Sequence, residues 1–110
     1  MKQYVIDELR PEDYKTIKAY MDEIFGSSAL DGVYWVTLDQ EMLTDMQISH
    51  TECQPFHFAI DLEPSHMACE LLVRTKNKMH CSCISYASEQ QRNWIIQIVD
   101  AIFEKLEIKT

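Results

Sequence analysis

Two stretches of the chain carry apolar residues at the spacing of an amphipathic helix. The first begins at Arg10-Pro11-Glu12-Asp13, where proline suits the first helical turn and acidic residues interact favourably with the helix dipole. Its apolar positions recur every three or four residues: Tyr14, Ile17, Met21 and Ile24. Gly26 predicts the end of this helix, because glycine is the preferred residue just past a helix C-terminus.

The second helical stretch follows Ser88 and Gln91, which match the capping-box pattern. Its apolar stripe comprises Trp94, Ile95, Ile98, Val99, Ile102 and Leu106. Ile96 and Phe103 fall outside that stripe and widen the apolar arc to over about 200°. A helix that packs only on a sheet needs a narrower arc, so we expect the other helix or a second subunit to cover the excess.

Between the two helices the pattern changes to that of β-strands. The clearest strand runs over 56–62, where Phe56, Phe58, Ile60 and Leu62 would face one side and His57, Ala59 and Asp61 the other. Weaker strand patterns cover 4–9 and 33–38. Thr44 and Gln47 match a further capping box, which predicts a short helix over 45–51.

Residues 67–75 and 79–86 are predicted to form a hairpin around Lys76-Asn77-Lys78. A three-residue loop places Cys81 opposite Val73 and Cys83 opposite Leu71, with the cysteines on the apolar face. A two-residue loop at Asn77-Lys78 would reverse the second strand and set both cysteines beside Arg74. The first register is preferred because it separates apolar from polar positions better.

The predicted order of elements is β-α-β-(short α)-β-β-β-α. It implies an α+β fold, specifically a two-layer sandwich with a mostly antiparallel sheet of about five strands and two main helices on one face. The length of 110 residues is close to the commonest domain size, so residues 1–110 are expected to form one domain.

The net charge of −8, from 18 acidic and 10 basic residues, changes the list of plausible partners. Phosphate backbones and anionic lipids repel such a surface, so neither nucleic acid nor a membrane is an expected partner. No apolar run reaches the length of a membrane span, and residues 1–7 lack the pattern of a signal peptide. A cytoplasmic protein with reduced thiols is the resulting expectation.

All four cysteines and all four histidines lie between His50 and Cys83. His50, Cys53, Cys81 and Cys83 are four potential ligands of a tetrahedral zinc site. The spacing argues against this alternative, because a strand holds Cys81 and Cys83 roughly 6–7 Å apart. Cysteine is also among the most buried residue types. We therefore expect packing cysteines and no cofactor, with zinc as the alternative.

These patterns best match a non-catalytic protein-interaction or regulatory module. We expect it to self-associate as a homodimer, or to bind another protein. Its expected surface contains apolar residues outside the predicted core: Leu72, Ile84, Ile96 and Phe103. Besides the zinc alternative, a small-molecule or enzyme site is possible on the open sheet face near His57. The sequence contains no assembled nucleophile and base, so catalysis is not expected.

Overall fold

The computed structural model describes residues 2–26, 32–75 and 81–109. The elements in chain order are β1 (Gln3–Ile6), α1 (Pro11–Phe25), β2 (Val33–Thr37), α2 (Asp45–Ser49), β3 (Phe56–Glu63), β4 (His66–Glu70), β5 (Leu72–Thr75), β6 (Ser85–Tyr86) and α3 (Glu89–Lys105). Short 3₁₀ turns cover Gln40–Met42 and Thr51–Cys53. The fold is therefore α+β, as predicted, and the described residues form an antiparallel sheet of six strands.

The helix starts follow the local chemistry of the sequence. The side chains of Thr44 and Ser88 each accept a hydrogen bond from the backbone N–H three residues on, and the side chains of Gln47 and Gln91 accept one from the backbone N–H of the capping residue. Both predicted capping boxes are thus confirmed. Helix α1 begins at Pro11 and ends before Gly26, whose φ of +80° favours glycine.

Strand β3 is the centre of the sheet. Ile60 lies opposite Tyr34 of β2 and also opposite Cys69 of β4, so these two strands flank it. Strand β5 pairs with the beginning of β3, where Phe56 lies opposite Thr75. Strands β1 and β6 extend the sheet beyond β4 and β5, and all five pairings are antiparallel.

The inward face of β3 forms the middle of the hydrophobic core. Its four predicted inward residues, Phe56, Phe58, Ile60 and Leu62, are all buried. Both long helices contribute to the same core, with Ile17 and Met21 from α1 and Ile95 and Val99 from α3. Each of these large apolar side chains stabilises the fold by about 1.5–3 kcal/mol through its removal from water.

The predicted strand over 67–75 is divided in two at Leu71. The backbone N–H of Leu71 donates to Lys2 and its carbonyl accepts from Ala87, so neither group joins β3. Strand β4 pairs with residues 60–63 and β5 with residues 56–57 of β3. This interruption makes six strands where about five were expected.

The predicted hairpin register is wrong. Ser85, not Cys81, lies opposite Val73, and Tyr86 lies opposite Leu72. Among residues 81–109, only the two residues of β6 pair with β5, because Cys81–Ile84 form a turn. The proposed loop at Lys76-Asn77-Lys78 lies outside the described residues.

Two buried glutamines join α2 to α3. The Nε2 of Gln91 donates to the Oε1 of Gln47 and to the carbonyl of Met42, both at 2.8 Å. Both glutamine side chains are almost fully buried, so these hydrogen bonds replace lost contacts with water. Through these bonds Gln47 and Gln91 also fix the position of the segment that leads to His50.

Gly32 provides a test of how closely β2 approaches β3. A Cβ at position 32 would lie 2.7 Å from the carbonyl oxygen of Leu62, and its φ is +84°. Gly32→Ala should therefore destabilise the protein by more than the roughly 1–3 kcal/mol that an unfavourable backbone conformation costs. Gly26→Ala is the matched control, since φ is +80° there but no atom lies within 4 Å of the added Cβ. Equal losses in urea denaturation would contradict the close approach.

Candidate metal centre

His50 and Cys53 are presented by the end of α2 and the turn that follows it. His50 directly follows the last residue of α2, and its carbonyl accepts a hydrogen bond of 3.0 Å from the N–H of Cys53. The 3₁₀ turn over Thr51–Cys53 thus brings the two side chains to the same side of the chain. The predicted short helix is confirmed, but it ends at Ser49 and not at Thr51.

The carbonyl of Cys53 also accepts a hydrogen bond from the Oγ1 of Thr75, at the end of β5. Because Thr75 pairs with Phe56 in the sheet, this bond fixes the turn against the strand edge. The first pair of candidate ligands is therefore held by the core sheet and by α2 together.

Cys81 and Cys83 lie in a tight turn. The N–H of Ile84 donates to the carbonyl of Cys81 at 3.0 Å, which closes the turn around Ser82 and Cys83. The sequence predicts an extended strand at Cys81 and Cys83, which would hold the two sulfurs apart and disfavour a metal site. The turn removes that objection, since it lets the sulfurs converge.

The four side chains form one cluster. The ligand atoms of His50, Cys53, Cys81 and Cys83 all lie within 4.8 Å of one another. Cys81 is at the centre of the shorter contacts, with its Sγ 3.2 Å from His50 Nδ1 and 3.8 Å from Cys53 Sγ. The structure thus brings together all four residues of the zinc alternative, from two segments far apart in sequence.

Burial and hydrogen bonding distinguish the thiols in this cluster. Hydrogen bonds from the backbone and side chain of Cys83, with further ones from His50 and Cys53, lower the pKa of Cys81 to about 6. Burial raises the pKa of Cys53 and raises that of Cys83 to about 12. The cluster therefore favours a thiolate at Cys81, which is the partly exposed member of the three.

Cys69 lies apart from this cluster. It is on β4, opposite Tyr4 and Ile60, and its side chain is buried in the core. Burial raises its pKa to about 12. Cys69 thus acts as the packing cysteine that the sequence predicts, and it supplies a matched control for experiments on the other three.

The residues of the predicted interaction surface do not share one environment. Leu72, Ile84 and Ile96 are partly buried, whereas Phe103 is only 4% exposed. Phe103 packs within the chain's own core, so no second subunit is needed to cover it. The apolar residues that are most exposed among the described ones are Val5, Ile24, Met46, Ile48 and Tyr86.

The sheet face that carries His57 contains a small cavity. His57 is itself buried, its Nδ1 lies 3.1 Å from Thr37 Oγ1, and its ring meets Trp35 edge-on. This cavity has a volume of about 230 Å³ and is lined by Val33, Trp35, Ala59, Asp61, Glu70 and Arg74. Ligand pockets are usually larger, at about 300–1,000 Å³.

Comparison with protein-family models, with curated proteins and with solved structures finds no match for this chain. Within the described residues, every helix is too short or too polar to span a bilayer. The chemistry of this chain's own side chains is therefore the basis on which its function is assigned.

The different environments of the thiols predict an order of reactivity. In metal-free protein, iodoacetamide should alkylate Cys81 first, because Cys81 is partly exposed and its pKa is lowered to about 6. Its rate should rise through about pH 6 and then level off, whereas an ordinary thiol continues to gain rate up to about pH 8.5. Peptide mapping after a short pulse measures the order, with buried Cys69 as the slow control. Faster modification of Cys69 or Cys53 would contradict the described cluster.

Proposed function

We propose that this protein binds one zinc ion through His50, Cys53, Cys81 and Cys83, and that the ion is structural. The observation that carries the proposal is the convergence of these four ligand atoms within 4.8 Å, from two segments whose cysteines Cys53 and Cys81 are 28 residues apart along the chain. A cysteine that only packs in the core does not require other potential metal ligands beside it, and Cys69 is buried in the core outside this group of four. The proposal therefore concerns a cross-link between two segments and assigns no catalytic role.

The spacing of the sulfurs fits the size of a zinc site. Zn–S bonds of about 2.3 Å in a tetrahedron put neighbouring sulfurs about 3.8 Å apart. The Sγ atoms of Cys53 and Cys81 are separated by 3.8 Å. The imidazole nitrogen of His50 is slightly closer to Cys81, at 3.2 Å, and a Zn–N bond is correspondingly shorter than a Zn–S bond.

The donor set favours zinc over the commoner divalent cations. Magnesium and calcium prefer oxygen ligands, whereas three thiolates and an imidazole suit a softer metal with tetrahedral geometry. Four protein ligands also complete that geometry and leave no position for a reacting water, which is the feature that distinguishes structural from catalytic zinc sites.

The proposed ion would act where the sheet is least supported. Strand β6 has two residues, and its pairing with β5 follows directly from the turn that carries Cys81 and Cys83. Zinc would tie this turn to the segment that enters β3. Since no metal site is preformed in an unfolded chain, the binding free energy contributes directly to folding.

Zinc removal should therefore lower thermal stability strongly. We expect the purified protein to bind zinc with one ion per chain, and excess chelator to lower Tm by at least about 10 °C. A loss of about 1 kcal/mol corresponds to roughly 4–8 °C for a domain of this size, and structural zinc contributes more than that. Elemental analysis and calorimetry with and without chelator make the measurement.

Matched cysteine variants separate a metal site from simple packing. Cys53→Ser and Cys83→Ser should abolish stoichiometric zinc binding, while Cys69→Ser should retain it, although all three cysteines are buried. Cobalt(II) in place of zinc should give the visible absorption of tetrahedral thiolate coordination in the Cys69→Ser protein. A wild-type chain that binds no metal and keeps its Tm in chelator would contradict the proposal.

Self-association is a second proposal, supported by apolar side chains on the outside of the fold. Ile24, Met46 and Ile48 are 52%, 50% and 49% exposed, respectively. Water contact with such side chains is unfavourable, and closed symmetric dimers are a common way to remove it. The zinc site would then maintain the shape of an interaction module.

Sedimentation equilibrium tests this second proposal. We expect zinc-loaded protein to dimerise at high micromolar concentration and Ile48→Ser to weaken the dimer. Ser49→Ala, at the neighbouring exposed position, should leave the dimer unchanged. A wild-type protein that stays monomeric would exclude self-association and leave the zinc proposal untouched.

A further inference from the structure

The candidate metal centre contains a sulfur pair placed for disulfide formation. Cys53 Sγ and Cys81 Sγ lie 3.8 Å apart, in van der Waals contact, and belong to segments separated by 28 residues. A disulfide bond requires about 2.05 Å between the sulfurs, so they would need to approach by about 1.8 Å. The turn that carries Cys81 is a short surface segment in which Ser82 is exposed.

The exposure of the three clustered thiols determines which one meets an oxidant first. Cys53 is 0% exposed and Cys83 is 1% exposed, whereas Cys81 is partly accessible to solvent. A small oxidant thus reaches Cys81 directly, while Cys53 lies immediately behind it. This arrangement is that of an attacking thiol backed by a resolving thiol.

We propose that Cys53 and Cys81 form a reversible disulfide on exposure to hydrogen peroxide, and that this bond expels the zinc ion. The release step rests on the proposed zinc function, whereas the disulfide step does not. Loss of two ligands leaves only His50 and Cys83, which are too few for a structural zinc site.

The chemistry takes place in two balanced steps. The Cys81 sulfur attacks one oxygen of the peroxide and breaks the O–O bond, which gives a sulfenic acid and releases water after proton transfer. The Cys53 sulfur then attacks the Cys81 sulfur, the S–O bond breaks, and a second water leaves. In the metal-free protein two thiols have lost two electrons and two protons, and the peroxide has been reduced to two waters. In the zinc-loaded protein the two sulfurs are thiolates, so the two protons come from solvent and the zinc leaves as Zn²⁺.

Cys83 is the competing partner, but its position in the chain disfavours it. A Cys81–Cys83 disulfide would close a small ring within a single turn, and such short connections force the sulfurs away from their preferred dihedral angle. The Cys53–Cys81 bond instead joins two separate segments. It would replace zinc as a cross-link at the same place, so the oxidised protein should remain folded.

Peptide mapping under non-reducing conditions tests the pairing. Metal-free and zinc-loaded wild-type protein are treated with one to a few equivalents of hydrogen peroxide, quenched by alkylation and digested. We expect a Cys53–Cys81 crosslinked peptide in both samples, together with alkylated Cys69 and Cys83. In the loaded sample, a chromogenic indicator should report release of one zinc per disulfide, and dithiothreitol with added zinc should restore the starting state.

Two cysteine variants test the pairing independently, so the test does not depend on the folding of a single variant. Cys69→Ser should form the disulfide as wild type does. Cys53→Ser should instead accumulate higher oxidation states at Cys81, because no resolving thiol lies behind it. Thermal melts of oxidised wild-type protein should no longer respond to chelator.

The outcomes separate this inference from the proposed function. Zinc binding without the Cys53–Cys81 bond, whether the thiols stay reduced, pair as Cys81–Cys83 or over-oxidise, would overturn the inference and leave the zinc site standing. Disulfide formation in a chain that never binds zinc would support the pairing and overturn both the release step and the proposed function.

Discussion

The pairing of β3 on both sides is the constraint on which the rest of the structure depends. Ile60 is held between β2 and β4, and Phe56 is held opposite the end of β5. The same strand turns four large apolar side chains into the core against both long helices. A shift of one residue would exchange the two faces of β3 and put His57, Ala59 and Asp61 in the core in place of four large apolar side chains, so the register is strongly fixed. Every neighbouring segment takes its place from that register.

The candidate metal centre is a consequence of that constraint. Cys53 lies three residues before β3, and its carbonyl is bound by Thr75, which the sheet places beside Phe56. The turn bearing Cys81 and Cys83 is in turn placed by the short pairing of β6 with β5. The site thus lies where the segment that follows α2 meets the turn that leads into the two-residue strand β6. A bound metal or a disulfide at this position would support strand β6, which has only two residues.

The local parts of the structure could be predicted because their causes are local. Capping at Thr44 and Ser88, the proline at position 11 and the alternation along β3 each act over a few residues, and each element formed as expected. The hairpin could not be predicted from the sequence. The alternation of residues 79–86 is typical of a strand, but the backbone groups of Leu71 are hydrogen-bonded to Lys2 and Ala87. Those partners are distant in sequence, and no local pattern reveals them. Phe103 illustrates the same limit, because its covering residues come from elsewhere in the fold.

The sequence by itself determined the α+β class, the two long helices, the inward face of β3 and the identity of four residues able to bind a metal. Only the tertiary structure decided that those four residues meet. Ligand type is a property of each side chain, but convergence depends on a turn at Cys81–Ile84 and on a sheet register set by pairs far apart along the chain. Spacing along an assumed strand gave the wrong distance for Cys81 and Cys83. The free energy that selected the turn came from long-range packing and pairing, which short-range periodicity does not contain.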